Sequence, residues 1–182
     1  LILFDGKGTI LEGRISSTSR SEGRIQILAD RVADFPSPRP YQLTVAFSPT
    51  KNIDRTEFAV EKLVELGVDH IVFLDCEHAE RSRIRMDRME KIVLSAAKQS
   101  RKRILPKLHE LISPNLWVTQ YKREQPDARL FCCHLAEEAS ALSENYQPGQ
   151  NVLILIGPEG GFSAVETEQL VHRGARLVTL GP

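Results

Sequence analysis

Hydrophobic and polar positions change their period once along this chain. Up to Leu28 they alternate in twos: Leu1 to Phe4, Thr9 to Ser16 and Arg24 to Leu28 form short runs, with Ile25 and Ile27 set against Arg24 and Gln26. Asp5-Gly6-Lys7-Gly8 and the polar stretch from Ser19 to Gly23 separate them. Period-2 runs divided by turn residues predict strands joined as hairpins. Three strands cannot close a barrel, and the chain opens in mid-strand without an initiating Met, so residues completing this module are expected before Leu1. Pro36-Ser37-Pro38-Arg39-Pro40 reads as a stiff linker, which places the boundary between a first unit, 1–38, and a second, 39–182.

From Tyr41 the pattern becomes strand then helix, repeatedly. Leu43 to Phe47 is an apolar strand; Asp54 with Glu57 reads as a capping box opening a helix whose buried stripe is Ala59, Val60, Leu63, Val64 and Leu66, and Gly67 ends it. Ile71 to Leu74 follows as a strand, and Asp87 with Glu90 reads as the start of a second helix, buried along Met89, Ile92, Val93, Ala96 and Ala97. Next come a strand over Ile104 to Leu108, weakened by Pro106, a short helix from Ser113-Pro114, the strand Leu130 to Cys133 and a helix around Leu135 to Leu142. The strand Val152 to Ile156, a helix after Ser163 and the strand Leu177 to Leu180 complete the series. Such alternation predicts an α/β fold with a mostly parallel sheet.

Composition narrows the function. No segment approaches the roughly 20 apolar residues that cross a bilayer, and Leu1 to Phe4 followed by Asp5 is no signal peptide, so a cytoplasmic protein with no membrane partner is expected. Cys76, Cys132 and Cys133 are an odd set, which speaks against a disulfide framework. Cys132-Cys133-His134 invites a metal reading, but neighbours on a strand point to opposite faces and there is no CxxC pair, so no metal is expected. The formal net charge of zero conceals an asymmetry. From Arg81 to Lys107 stand ten Lys or Arg and two acids, +8, leaving −8 on the rest. That block reads either as a phosphate-binding surface or as a solvated helix face with a basic last turn.

The most informative stretch is Gly157-Pro158-Glu159-Gly160-Gly161-Phe162-Ser163. A buried strand feeding a Gly-rich turn into a helix sets backbone N–H groups at the carboxyl edge of a sheet, where open α/β folds bind ligands. Ser163 with Glu166 is a capping box, and Arg173-Gly174 marks the end of that helix. A phosphate cradle normally adds Lys and Ser or Thr after its glycines, whereas this loop carries the carboxylate of Glu159, which favours a neutral or cationic ligand. The alternative is a tight strand-to-helix turn and nothing more.

Taken together, Lys51 with Asp54-Arg55-x-Glu57, Lys62 with Glu65-Leu66-Gly67-Val68, Glu80-Arg81-Ser82, Lys91-Ile92, Lys98-Gln99-Ser100-Arg101, Leu105-Pro106, the run Leu155 to Ser163 with Glu166, and Leu180-Gly181-Pro182 span nearly the whole chain. In order and spacing they resemble the RsmE-type methyltransferases of the SPOUT superfamily, which act on uridine N3 of small-subunit ribosomal RNA. The resemblance implies S-adenosylmethionine as methyl donor, a trefoil-knotted parallel-sheet domain and, before it, a PUA-like β-barrel of which 1–38 would be part. It implies a homodimer acting on small-subunit (16S) rRNA or the assembled 30S particle. It assigns the cofactor to Leu155, Ile156, Gly157, Pro158, Glu159, Gly160 and Gly161, faced by Leu180, Gly181 and Pro182, with His134 a further wall candidate. RNA contacts fall to Lys51, Arg55, Arg81, Arg83, Lys98, Arg101 and Arg103. A bulky residue at Gly160 is expected to abolish cofactor binding. In the family the LGP segment runs on into a tail that borders the cofactor and carries an arginine; the catalytic groups are therefore expected beyond Pro182. The rival readings are a knotted methyltransferase acting on another RNA and a non-catalytic RNA-binding module.

Overall fold

The computed structural model describes residues 1–29, 39–135 and 139–180. The period-2 segment forms an antiparallel sheet of β1 (Ile2–Phe4), β2 (Ile10–Thr18) and β3 (Gly23–Ala29). Asp5 shapes the first turn by accepting from the backbone N–H of Lys7 and Thr9. The sheet rests on the second unit through Gly6, whose carbonyl accepts from Leu105 N–H at 2.9 Å, and through a bridge between Lys7 and Ile104. Of the Pro36–Pro40 linker expected from the sequence, Pro36, Ser37 and Pro38 lie outside the described residues.

The second unit is a seven-stranded sheet in which every pairing is parallel. Its strands are β4 (Leu43–Phe47), β5 (His70–Leu74), β6 (Lys107–Ile112), β7 (Arg129–Cys133), β8 (Ser140–Ala141), β9 (Val152–Ile156) and β10 (Ala175–Thr179). They lie in the order β6-β5-β4-β9-β7-β10-β8. Helices cover both faces, which is why the central strands read as unbroken apolar runs. On one face α1 (Ile53–Leu66) and α2 (Met86–Ser100) pack Val60, Val64, Met89, Val93 and Ala97 against Val45, Phe47, Ile71 and Phe73. On the other, α3 (Pro114–Glu124) and α5 (Ala164–His172) pack Trp117, Val118, Tyr121 and Leu170 against Ala46, Val72, Leu74, Leu153 and Leu155. A short α4 (Leu142–Asn145) follows β8.

Several local expectations move. α1 is capped by Asn52, whose side chain accepts from Asp54 N–H; Asp54 sits in the first turn, where its charge favours the helix dipole, and Glu57 pairs with Arg88 across to α2. α2 begins after Arg85, and Asp87 is tied to Arg85 rather than capping. Leu66 is 72% exposed, since the stripe of α1 has already turned past the sheet at Val64. The strand expected over Ile104–Leu108 starts at Lys107, immediately after Pro106, whose missing N–H suits a strand entrance. The helix expected around Leu135–Leu142 is replaced at its end by β8, and residues 136–138 lie outside the described set.

At the amino edge of the sheet, His70 on β5 and His109 on β6 stack with ring centroids 5.2 Å apart and Nδ1 to Nε2 at 3.0 Å; Trp117 meets His109 edge-on at 4.5 Å. Burial, then the neighbouring His70 and Lys107, pushes His109 down to about 4, and burial also lowers His70. Near 6.5 the unfolded chain takes up protons that the folded pair refuses, so stability falls as pH drops from the ordinary histidine value of 6.5 towards about 4. Thermal unfolding is expected to show His109→Gln losing less Tm than the parent between about pH 7 and about pH 5. Equal losses would remove the histidine pair from the acid response.

Candidate functional site

The site is assembled where β9 ends between β4 and β7, with Ile156 in register with Phe47 on one side and Cys133 on the other. Ser48 N–H donates to the Ile156 carbonyl at 3.0 Å, so the loop after β4 is fixed to the strand that delivers the glycines. Gly157 has no room for a side chain. A Cβ there would come within 2.9 Å of the Phe162 backbone nitrogen and 3.1 Å of the Gly161 carbonyl carbon. The loop doubles back on itself: Gly161 N–H donates to the Pro158 carbonyl at 2.8 Å, Gly161 adopts φ 75°, and Phe162 is buried in the core beneath. At Gly160 a Cβ would meet the His78 side chain at 3.5 Å, an ordinary contact. Steric intolerance therefore belongs to Gly157.

Two neighbouring loops tie the turn down. Ser163 Oγ accepts from Glu166 N–H while the Glu166 carboxylate accepts from Ser163 N–H at 2.9 Å, completing the predicted capping box. The other oxygen of Glu166 accepts from Glu77 N–H at 3.0 Å, and His78 Nδ1 lies 3.3 Å from the Gly161 carbonyl. Glu159 accepts from Lys51 N–H at 3.1 Å. The Lys51 ammonium in turn pairs with Glu80 at 2.7 Å, and that hydrogen bond holds it above its ordinary pKa. Arg81 donates to the carbonyls of Thr50 and Lys51. Glu80 stands in the Glu80-Arg81-Ser82 motif, whereas Glu77 and His78 carried no signal in the sequence.

Above the turn opens a cavity of about 530 Å³, within the range of small-molecule sites. Ile156 of β9 and Gly157, Pro158, Glu159, Gly160 and Gly161 of the turn line it, together with His134 and Leu180. Cys133, Leu135, Phe162, Val178 and Thr179 complete the wall. Leu155 does not line it; the alternation of β9 turns its side chain into the core, wholly buried. Gly181 and Pro182 lie outside the described residues. Among the described residues the lining holds no Lys or Arg and its one carboxylate is Glu159, so a cationic ligand with apolar and hydrogen-bonding parts fits it. Cys133 is held as a thiol, burial pushing it up to about 11.

The expected RNA-binding cations separate into two groups. Lys51, Arg55, Arg81 and Arg83 stand at the carboxyl edge, around the turn, whereas Lys98, Arg101 and Arg103 stand at the far end of α2 beside the three-stranded sheet. A 15-residue helix separates them by about 22 Å.

Residues 37–182 match the family model described as the RNA methyltransferase domain. A Mycobacterium tuberculosis protein named ribosomal RNA small subunit methyltransferase E is 30% identical over 190 residues, covering all of this chain and 71% of its own length. The protein of the same name from Mesomycoplasma hyopneumoniae is 32% identical over 146 residues, 76% of this chain, and the chain spans only 60% of that relative. Among solved structures, a probable rRNA methyltransferase from Porphyromonas gingivalis superposes with a TM-score of 0.87 at 36% identity, over the whole chain and 76% of its own. Ribosomal RNA small subunit methyltransferase E from Neisseria gonorrhoeae, bound to S-adenosyl methionine, gives 0.86 at 28%, over the whole chain and 74% of its own.

Proposed function

This chain belongs to the RNA methyltransferase family, and from that premise we propose that it methylates N3 of a specific uridine in 16S rRNA, with S-adenosylmethionine as donor. The observation that carries the reading is the cavity over the Gly157–Phe162 turn: backbone groups and apolar walls for a nucleoside and an aliphatic chain, with the Glu159 carboxylate to offset a sulfonium. The relative from Neisseria gonorrhoeae, the same fold at 28% identity, was crystallised with S-adenosyl methionine.

Bound there, the donor supplies an electrophilic methyl on a positively charged sulfur. The turn's part is to hold it: Glu159 offsets the positive charge, and the backbone of Ile156 to Gly161 fixes its orientation. Methyl transfer would form the N3–C bond as the S–C bond breaks, the electron pair leaving with sulfur and the N3 proton passing to solvent, and the turn's part would be to hold the methyl in line with N3. Cations at the carboxyl edge, Lys51, Arg55 and Arg83, favour the uridine anion and grip RNA phosphates. Arg81 contributes by holding Thr50 and Lys51 in place.

The same reading makes 1–38 part of a PUA-like barrel, 39–182 a SPOUT domain knotted near its carboxyl end, the working form a cytoplasmic homodimer, and the substrate the 30S particle or its rRNA. Among the described residues no helix is long and apolar enough to cross a membrane. Incubation of undermethylated 30S particles with the protein and isotope-labelled S-adenosylmethionine is expected to place label in 16S rRNA and none in 23S rRNA. Label in tRNA alone would favour the reading of a related enzyme with another substrate.

A further inference from the structure

The second group of cations lines a separate cavity of about 410 Å³ at the seam between the three-stranded sheet and α2. Its floor is apolar, made by Ile2 and Phe4 of β1 and Ile10 of β2; its rim is Lys98, Arg101 and Arg103, and among the described residues no carboxylate lines it. Both walls are fixed by the hydrogen bond from Leu105 to Gly6 and the bridge from Ile104 to Lys7.

Arg101 stands out within it. It is the only non-glycine residue at positive φ among those described, with φ 56° and ψ 34°, and it ends α2 in the left-handed conformation. That position strains any residue with a Cβ and is ordinarily filled by glycine. The chain uses glycine for the same task at the end of α1, where Gly67 has φ 78° and ψ 42°. A cation for the helix dipole does not require the arginine, since Lys98 already lies in the last turn and Lys102 follows. The side chain is therefore kept for something outside the helix.

We infer that the seam cavity is a nucleotide subsite for single-stranded RNA, in which Arg101 with its neighbouring cations takes a phosphate and the Phe4 ring receives a base. The charge is of the right sign, the floor is of the right character for stacking, and the volume suits one nucleotide. This deepens the methyltransferase reading and rests on it: the subsite would anchor the substrate strand about 22 Å along α2 from the methyl-transfer edge of the same chain.

The test uses the full-length protein, fluorescence anisotropy with a short single-stranded RNA over a series of salt concentrations, and thermal unfolding in parallel. Arg101→Gly is expected to unfold at the same temperature as the parent or higher, because it relieves the left-handed strain. It is expected to bind the RNA about tenfold more weakly at low salt, with a salt slope smaller by about one. Phe4→Leu keeps the apolar contact and removes the ring; it should lose about fivefold on RNA and nothing on an abasic oligomer. Undiminished RNA affinity in Arg101→Gly, or a lowered unfolding temperature, would overturn the subsite. Failure of the underlying reading shows itself elsewhere: the parent protein would then neither bind S-adenosylmethionine nor methylate rRNA, whatever the RNA affinities.

Discussion

Gly157→Val is expected to abolish S-adenosylmethionine binding, lowering affinity at least a hundredfold in calorimetry, while the protein remains folded. The cause is steric and local. The first atom of any side chain at this position would stand 2.9 Å from the Phe162 backbone nitrogen, and backbone cannot rotate out of the way. Relief requires the turn to open, which breaks the Gly161-to-Pro158 hydrogen bond and moves the floor of the cavity. β9 is held on both sides by β4 and β7, so the displacement falls on the turn and not on the strand. Gly160→Ala is the matched control. Its Cβ meets only the His78 side chain, at 3.5 Å, and its affinity should stay within a few-fold of the parent. Equal affinities for Gly157→Val and the parent would mean that the cofactor does not sit over this turn.

Phe162→Ala is expected to cost about 3–5 kcal/mol of stability, the range for truncating a buried aromatic, and to weaken cofactor binding as well. Phe162 is 5% exposed; it belongs to the core on the α3 and α5 face and also lines the cavity. One side chain thus anchors the turn to Leu153, Leu155 and Leu170 and shapes the surface the ligand meets. Denaturant unfolding should report the stability loss and calorimetry the affinity. Phe162→Leu should recover most of the stability and only part of the binding, because a smaller apolar group refills the core but leaves the wall changed. Loss of stability with unaltered affinity would assign Phe162 to the core alone.

How far the sequence carried the fold depends on the scale of the signal. Strands β4, β9 and β7 and the helix after Ser163 were legible because a buried strand is apolar throughout and because a capping box uses residues three apart. Helix starts were less so. Asp54 and Asp87 each precede a glutamate by three, the same local code, yet Asn52 reaches a backbone N–H first in α1 and Arg85 claims Asp87 in α2. The turn of the site was visible as Gly157 to Ser163, but not which glycine is crowded, since crowding at Gly157 comes from Phe162 folding back over it. His78 was invisible for a related reason: it meets the turn only because β5 and β9 lie two strands apart in the sheet, an order no local pattern encodes. The basic block from Arg81 to Lys107 was read as one surface, and it is divided because it runs the length of a helix.

The most direct measurement is nucleoside mass spectrometry of 16S rRNA from undermethylated 30S particles after incubation with S-adenosylmethionine and the full-length protein. A single new nucleoside, N3-methyluridine, is expected from the parent and not from Gly157→Val. Absence of any methylated nucleoside, with the parent protein folded and the particles intact, would contradict it.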